Sequence, residues 1–326
     1  MTQSRTTTRY ERRALLRAAV LGTDRPPAIA SAGTVVTGVL AKVGAHAIAV
    51  QTQAGEQLLT LSPSTVTWLG ARATPSALRT GDPVIVRRRP HHASTDGWTA
   101  GVAERIWAGI GRVTGTIAAG HGREFLVDTG RPGRAREPVI IAEASLSQIR
   151  VRFPMLAPGY LLDVIGTRHR GYLLAVTPAT AQPPYPTGHP PAALAGGVIT
   201  DPVSGTAVWH EPDDEHGGPL GGQLGLEYPA LDPETESAAA EHDHRCVRLP
   251  YLSLGSVVRV RNECTRRDAV LPVTGGGGLA GQFCDRCTAC GTSPRGRVAD
   301  LTMAAFVELG GDLEKGCFNA TLTMAD

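Results

Sequence analysis

A short sequence repeat constrains the first half of this chain more than any other feature does. Residues 36–41 read Val-Thr-Gly-Val-Leu-Ala, and residues 113–118 read Val-Thr-Gly-Thr-Ile-Ala. A second segment at 80–86 has its counterpart at 158–164, at nearly the same spacing along the chain. Two matches at nearly one offset predict two copies of one structural unit, each of about 75 residues.

Each copy is predicted to consist of short β-strands. Three segments between residues 33 and 61 alternate or run apolar, and a Gly81-Asp82 turn leads into a further apolar strand. About five short strands in a unit of this size favour a small closed barrel, because closure removes exposed strand edges. The pattern resembles an oligonucleotide/oligosaccharide-binding (OB) type barrel, and it predicts one barrel at 33–108 and another at 109–178.

Composition argues against several kinds of partner. The net charge is +2, and no basic groove with interleaved aromatic residues is visible, so we expect no nucleic-acid partner. The sequence has no run of about 20 apolar residues, which predicts that the chain has no membrane span. No motif indicates a cofactor, and none is expected. The sequence makes no prediction of oligomeric state.

Residues 1–32 form a basic segment that bears on localisation. The stretch that starts at Tyr10 reads Tyr-Glu-Arg-Arg-Ala-Leu-Leu-Arg and resembles a degenerate twin-arginine export signal. Its apolar part is short and is interrupted by Arg17 and Asp24. We therefore expect a secreted or cell-envelope protein, with a basic amphipathic helix on a cytoplasmic protein as the alternative.

A proline-rich stretch at 179–197 predicts a stiff linker, partly polyproline II, to a third module at 198–326. All six cysteines fall within this module. Their even number favours three disulfides with open pairing, and their clustering supports an extracytoplasmic location. The Cys-x-x-Cys-x-x-Cys spacing keeps a zinc site open as the alternative, formed by Cys284, Cys287 and Cys290 with Cys264 or a histidine of 242–244. The cysteines are Cys246, Cys264, Cys284, Cys287, Cys290 and Cys317.

The third module is predicted to be mostly strand, with one helix near its end. Residues 300–309 place apolar side chains at 301, 305, 306 and 309, the spacing of one buried helix face. Asp300 or Thr302 is suited to cap the start of this helix, and the Gly310-Gly311 pair is suited to end it.

Four segments of this module occur in an order that resembles the double-psi β-barrel of expansins, barwin-like proteins and the rare lipoprotein A family. They are Gly-Thr-Ala-Val-Trp at 205–209, Leu-Gly-Ser-Val-Val-Arg-Val-Arg-Asn-Glu-Cys-Thr at 254–265, Asp-Arg-Cys-Thr-Ala-Cys at 285–290 and Asp-Leu-Thr-Met-Ala-Ala-Phe-Val-Glu-Leu-Gly at 300–310. We therefore predict a mainly all-β chain, in which two tandem OB-like barrels precede a double-psi β-barrel with one short helix.

The resemblance implies a six-stranded barrel with an open groove for polysaccharide. Within it, Asp285 matches the groove carboxylate, which either acts as general acid on a glycosidic oxygen or holds sugar hydroxyls. Lytic members of the family pair this acid with a histidine, and His244 lies near the place where that residue would fall. Trp209 and Tyr251 are candidates to stack on sugar rings, with packing in the barrel as the alternative, and Asp300 is a candidate for sugar contact if it does not serve as the helix cap.

These observations support a secreted protein that binds polysaccharide or peptidoglycan and loosens it without obligatory bond cleavage. One alternative is a glycoside hydrolase or lytic transglycosylase that uses Asp285 as general acid. Another is a structural, secreted interaction module. A second acid or a histidine within about 10 Å of Asp285, across an open groove, would favour the enzyme, whereas a groove lined by one acid and aromatic residues would favour binding.

Overall fold

The computed structural model of the protein describes residues 34–89, 101–130, 136–187, 202–211, 223–232, 249–276 and 296–324. Within these residues, seventeen strands form three closed β-barrels. The predicted all-β architecture of tandem small barrels followed by a larger one is confirmed.

Barrel 1 is built from five strands, and a short sixth strand is attached to its edge. The strands follow the order β2-β1-β5-β6-β3-β4, and a pairing of β2 with β3 closes the barrel. Strands β3 and β6 run parallel, and the other neighbours run antiparallel. The bounds are β1 Val35–Val43, β2 Ala47–Thr52, β3 Gly55–Trp68, β4 Arg72–Ala73, β5 Pro83–Arg89 and β6 Val102–Ala108.

Barrel 2 repeats this arrangement. Its strands follow the closed order β10-β11-β9-β8-β7, with β9 and β11 parallel, so both barrels pair their five main strands in the order first, second, third, fifth, fourth. A short helix, α1 (Leu146–Arg152), precedes its fourth strand. The strand bounds are β7 Ile110–His121, β8 Glu124–Asp128, β9 Arg136–Ile141, β10 Leu161–His169 and β11 Tyr172–Pro178.

The glycine shared by the two copies of the repeat has a steric reason. A Cβ on Gly38 would lie 2.1 Å from the carbonyl oxygen of Gln51, and a Cβ on Gly115 would lie 2.1 Å from the carbonyl oxygen of Asp128. In each barrel the first strand therefore curls so closely over the second that only glycine fits.

Barrel 3 closes six strands in the order β12-β16-β13-β15-β14-β17. The pairs β12–β16 and β13–β15 are parallel, and the other four are antiparallel. A helix, α2 (Met303–Glu308), directly follows β16. The strand bounds are β12 Val203–His210, β13 Leu226–Glu227, β14 Val257–Asn262, β15 Asp268–Gly275, β16 Arg297–Thr302 and β17 Cys317–Met324.

The pairing scheme of barrel 3 has an internal symmetry. Exchanging β12 with β15, β13 with β16 and β14 with β17 turns every strand pair into an existing pair of the same direction. The antiparallel pairs β13–β16 and β14–β17 each map onto themselves. The barrel therefore consists of two interlocked halves. Six closed strands agree with the expected architecture, and the relation to expansins, barwin-like proteins and the rare lipoprotein A family stays a prediction.

The start of α2 corrects one expectation. The side chain of Thr302 caps this helix by accepting a hydrogen bond from the backbone N–H of Ala305. Asp300 instead lies inside β16, which continues to Thr302. The interpretation of Asp300 as a helix cap is wrong, because the strand extends through the position where the helix was expected to begin.

The start of the proline-rich segment packs against barrel 2. The backbone N–H of Ala179 donates to the carbonyl of Asp163 at 2.9 Å, and the backbone N–H of Thr187 donates to the carbonyl of Gly159 at 2.8 Å. Residues 179–187 are therefore held along the barrel by hydrogen bonds. In the described part of the chain, no helix has the length and apolar character that crossing a membrane requires.

Both small barrels pack against barrel 3 through one continuous apolar cluster. Ile85 and Trp107 of barrel 1 and Ile165 of barrel 2 are buried in the same cluster as the interior of barrel 3. Ionic contacts surround this apolar contact on the barrel 1 side. Arg87 pairs with Asp312 at 3.1 Å, and Arg105 pairs with Glu314.

A buried ion network joins barrel 2 to barrel 3. The Asp163 carboxylate is fully buried and accepts from Arg112 Nε at 2.8 Å and from Arg112 Nη2 at 2.7 Å. Arg297 of β16 donates to the same carboxylate at 2.5 Å, and the hydroxyls of Thr114 and Thr180 complete its shell.

The remaining guanidinium nitrogen of Arg112 continues the network into barrel 3. It donates to the carbonyls of Trp209 at 3.0 Å and of Gly316 at 2.7 Å. Burial by itself would raise the pKa of Asp163, but the charges of Arg112 and Arg297 outweigh this effect and lower it to about 2. The carboxylate therefore stays ionised at any pH at which the protein is expected to work.

The close approach in the first strand of each small barrel yields a stability prediction. We expect Gly115→Ala to lower the free energy of unfolding by about 1–3 kcal/mol or more, because the new methyl group meets backbone that cannot rotate away. Gly275→Ala in β15 is the matched control, since its Cβ would make only an ordinary contact of 3.4 Å. Chemical denaturation of both variants is the measurement, and equal losses would contradict the steric explanation.

The network at Asp163 yields a second prediction. Asp163→Asn leaves two buried guanidinium groups without their counter-charge, so we expect a loss of about 3–5 kcal/mol in the free energy of unfolding. Asp268→Asn is the control, because that carboxylate is exposed and its pair with Arg259 is worth about 1 kcal/mol at most. A loss at Asp163 no larger than that at Asp268 would show that the network is not needed to hold the barrels together.

The same carboxylate predicts part of the acid sensitivity. Its folded pKa of about 2 lies below the ordinary value of 3.8, so the stabilisation is complete above about pH 4 and is lost as the pH falls toward 2. The shift corresponds to about 2–3 kcal/mol. The free energy of unfolding, measured by chemical denaturation between pH 5 and pH 2.5, should fall more steeply with decreasing pH for the unmodified protein than for Asp163→Asn. Parallel curves would refute this assignment.

Candidate functional site: a carboxylate–imidazole cluster in barrel 3

Two carboxylates and an imidazole meet at one end of barrel 3. His210 Nδ1 lies 3.1 Å from Asp300 Oδ1, and His210 Nε2 lies 3.7 Å from Glu227 Oε1. The side chains of His210, Glu227 and Asp300 are 13%, 17% and 8% exposed. The imidazole therefore contacts both acids in a largely buried position, and we call these three residues the acid–imidazole cluster.

Strand order explains why these residues meet. Strand β16 lies between β12 and β13, so three adjacent strands supply the three side chains. Asp300 is directly opposite Glu227 in the antiparallel pair β13–β16. His210, the last residue of β12, is in register with Thr302 of β16. Residues two apart on a strand share a face, so Asp300 and Thr302 lie on the same side of β16.

The cluster places two acidic side chains directly opposite each other on neighbouring strands. Like charges directly opposite each other on an antiparallel pair are destabilising, and burial strengthens their repulsion. His210 is placed to offset this repulsion, because each ring nitrogen faces one carboxylate. Such a constellation can hold or transfer a proton, bind sugar hydroxyls, or coordinate a cation.

A small cleft opens next to the cluster, at the junction of barrels 2 and 3. Its volume is about 40 Å³, which gives room for an ion or a few water molecules. A sugar chain would therefore have to approach the cluster from the outside of this cleft. The lining residues come from both barrels: Arg112, Val113, Thr114, Thr129, Glu137, Trp209, His210, Glu211 and Asp300.

Ion pairs between the two barrels fix the wall of the cleft. Glu211, the residue after His210, accepts from the backbone N–H of Arg112 at 2.6 Å and from Arg168 Nε at 2.8 Å. Arg168 also pairs with Glu137 at 2.5 Å. Burial would lower the pKa of Arg168, but Glu211 and Glu137 raise it overall. This charged frame positions the chain immediately beside His210.

Two residues expected to contact sugar have different outcomes. Trp209 is 1% exposed, donates from Nε1 to the carbonyl of Leu313 at 2.9 Å and lies against the guanidinium of Arg112. For Trp209 the packing interpretation is confirmed and sugar stacking is wrong, because its ring is part of the core between the barrels. Tyr251 is 66% exposed, and its role as a sugar platform stays a prediction.

The cysteines require one correction. Cys317 is a buried thiol, and its Sγ lies 3.5 Å from the carbonyl oxygen of Ala179 as a hydrogen-bond donor. The expectation that Cys317 forms a disulfide is therefore wrong. The pairing of Cys264 stays a prediction, and Cys246, Cys284, Cys287 and Cys290 lie outside the described residues.

Asp285, the carboxylate favoured from the sequence, also lies outside the described residues, as do His242 and His244. Asp285 therefore stays a prediction as a groove residue. Asp300 was expected to contact substrate or cap a helix, and the structure places it in a cluster with His210 and Glu227. Sequence reasoning missed His210 and Glu227. One signal for His210 was its place directly after the apolar strand that ends in Trp209, whereas Glu227 had no local signal within its acidic surroundings.

Fold and site together define a class: a three-barrel protein that carries a buried acid–imidazole cluster where its largest barrel meets a smaller one. No protein-family model matches the sequence, and no curated protein matches it.

Proposed function

We propose that this chain is a secreted or cell-envelope protein that binds polysaccharide, such as peptidoglycan, at the end of barrel 3 where Asp300, His210 and Glu227 meet. The observation that carries the proposal is the cluster itself, two carboxylates that bracket an imidazole at the end of a six-stranded barrel. Carboxylates and imidazoles are strong hydrogen-bond partners for sugar hydroxyls. The likeness to the double-psi barrels of expansins and the rare lipoprotein A family supports the same ligand class.

Tyr251 supports the proposal from the outer surface of barrel 3. Its exposed side chain follows Pro250, whose carbonyl accepts a hydrogen bond from the hydroxyl of the buried Tyr228. The main chain beneath Tyr251 is thereby held in place. An exposed aromatic ring on an anchored main chain is suited to stack on the apolar face of a sugar, since such a side chain has few torsions to fix.

The cluster also favours a second candidate, cleavage of the bound glycan. A histidine and a second acid lie within a few ångströms of Asp300, and a cleaving site needs such groups beside its acid. In this reaction the Asp300 carboxyl would give its proton to the glycosidic oxygen as the bond to the anomeric carbon breaks. A water molecule, or a hydroxyl of the sugar in a transglycosylase, would form the new bond to the anomeric carbon, and either His210 or Glu227 would accept its proton. Asp300 replaces Asp285 as our preferred acid because its neighbours are now known.

Disulfides in the third module complete the proposed picture of an exported protein. We propose that Cys264 pairs with one of the four cysteines outside the described residues. Closing a loop of tens of residues would stabilise the module by about 2–4 kcal/mol. The zinc alternative for the same cysteines remains the competing proposal.

The test measures retention of the full chain on insoluble peptidoglycan, cellulose and chitin, with analysis of soluble products. We expect at least one of these polymers to retain the protein. Asp300→Asn keeps the size of the side chain and removes its charge, so apparent affinity should fall about tenfold or more. Asp268→Asn, an exposed acid of the same barrel, should bind as the unmodified protein does.

Four outcomes separate the alternatives. Soluble fragments that disappear in Asp300→Asn would support cleavage, and retention without fragments would support binding alone. Equal retention of all three proteins would show that the cluster is not the glycan site. If no polymer retains any of them, the polysaccharide proposal fails and a structural interaction module is the better interpretation.

A further inference from the structure

The acid–imidazole cluster has the donor set and geometry of a metal site. We propose that His210, Glu227 and Asp300 bind one divalent transition ion, of the Mn²⁺ or Zn²⁺ type. This inference uses the same three residues as the proposed function, and it does not depend on whether a glycan is the ligand.

Distances within the cluster are close to those around one bound ion. One ligand atom from each residue lies within 4.8 Å of the others. Ligands bound to one such ion at about 2.0–2.2 Å are separated from each other by about 3–4 Å. The 3.1 Å between His210 Nδ1 and Asp300 Oδ1 already falls in this range. Glu227 faces the other ring nitrogen, Nε2, at 3.7 Å, so coordination of one ion at Nδ1 requires the imidazole or the Glu227 side chain to turn.

Charge provides an independent argument. Glu227 and Asp300 are paired directly across β13–β16 and are mostly shielded from water. Two buried carboxylates in this relation repel each other, and the imidazole that contacts both contributes at most one positive charge. A divalent ion would neutralise both carboxylates while the imidazole binds it in neutral form.

The framework around the cluster favours a fixed site. Each ligand comes from a strand that is hydrogen-bonded to its neighbour in barrel 3, so the backbone needs no rearrangement when an ion binds. The adjacent cleft, of about 40 Å³, is lined by His210 and Asp300 and leaves room for water ligands. Three protein ligands with one or more waters is the pattern of a site that is open to chemistry.

The donor atoms select the class of ion. Imidazole nitrogen together with carboxylate oxygen suits Mn²⁺, Fe²⁺ and Zn²⁺, whereas Ca²⁺ and Mg²⁺ prefer oxygen ligands alone. Cysteine thiolates elsewhere in the chain would attract Zn²⁺ but not the harder Mn²⁺. Mn²⁺ is therefore the cleaner probe, and Zn²⁺ should displace it because Zn²⁺ binds such sites more tightly.

The experiment is a titration of the full chain with Mn²⁺, followed by electron paramagnetic resonance of the free ion. We expect one Mn²⁺ per chain, displaced by Zn²⁺ and not by an equal concentration of Mg²⁺. Glu227→Gln and Asp300→Asn should each weaken binding at least tenfold, and Asp268→Asn should leave it unchanged. Thermal unfolding with and without Mn²⁺ gives a second readout: the ion should raise the Tm of the unmodified protein and of Asp268→Asn only.

Two results would overturn the proposal. One is the absence of Mn²⁺ binding to the unmodified protein at concentrations up to about 1 mM, together with Zn²⁺ binding, if any, that Asp300→Asn does not weaken. The other is binding that is equal in all four proteins, which would locate the ion elsewhere. Glycan retention measured in EDTA keeps the two proposals separate, since retention without metal would support the glycan site whatever the metal titration shows.

Discussion

The Asp163 carboxylate is the interaction on which the relation between barrels 2 and 3 depends. It accepts hydrogen bonds from Arg112 of its own barrel and from Arg297 of barrel 3 while fully excluded from water. Such a group is costly to bury unless every oxygen is satisfied, and here five donors from four residues satisfy it. Because Arg112 also lines the cleft beside His210, the same network that joins the barrels forms one wall of the candidate site.

The two copies of the repeat meet barrel 3 through equivalent positions with different chemistry. By the repeat offsets, Val35 and Ile85 of barrel 1 correspond to Arg112 and Asp163 of barrel 2. The first pair packs on the shared apolar cluster, whereas the second forms the buried ion network. One geometry of docking thus accepts either an apolar contact or a fully paired charge. Arg112 of the charged version lines the cleft and its counterpart Val35 does not, so among the described residues it is barrel 2 that forms part of the site.

The fold was largely predictable from the sequence, and the site was not. Glycines such as Gly38 and Gly115, set among alternating apolar residues, carry local information about strands and close approach. The cluster depends on contacts between distant parts of the chain, and no local pattern shows that β16 lies between β12 and β13. Asp300 stands before an apolar helix pattern, as a helix cap would, and its true neighbour Glu227 lies far upstream in the chain. Trp209 looks the same in sequence whether it lines a groove or fills a core.

The interlocked order of barrel 3 has a consequence for how the protein is made. Strands β12 and β13 are the first strands of barrel 3 to be synthesised. They do not pair with each other, because β16 lies between them. His210 and Glu227 therefore have no fixed relation until the segment with Asp300 has been synthesised and inserted. Pairing between strands so distant in sequence is slow compared with local folding. The small barrels can close early in translation, so the candidate site should be among the last parts of the protein to form.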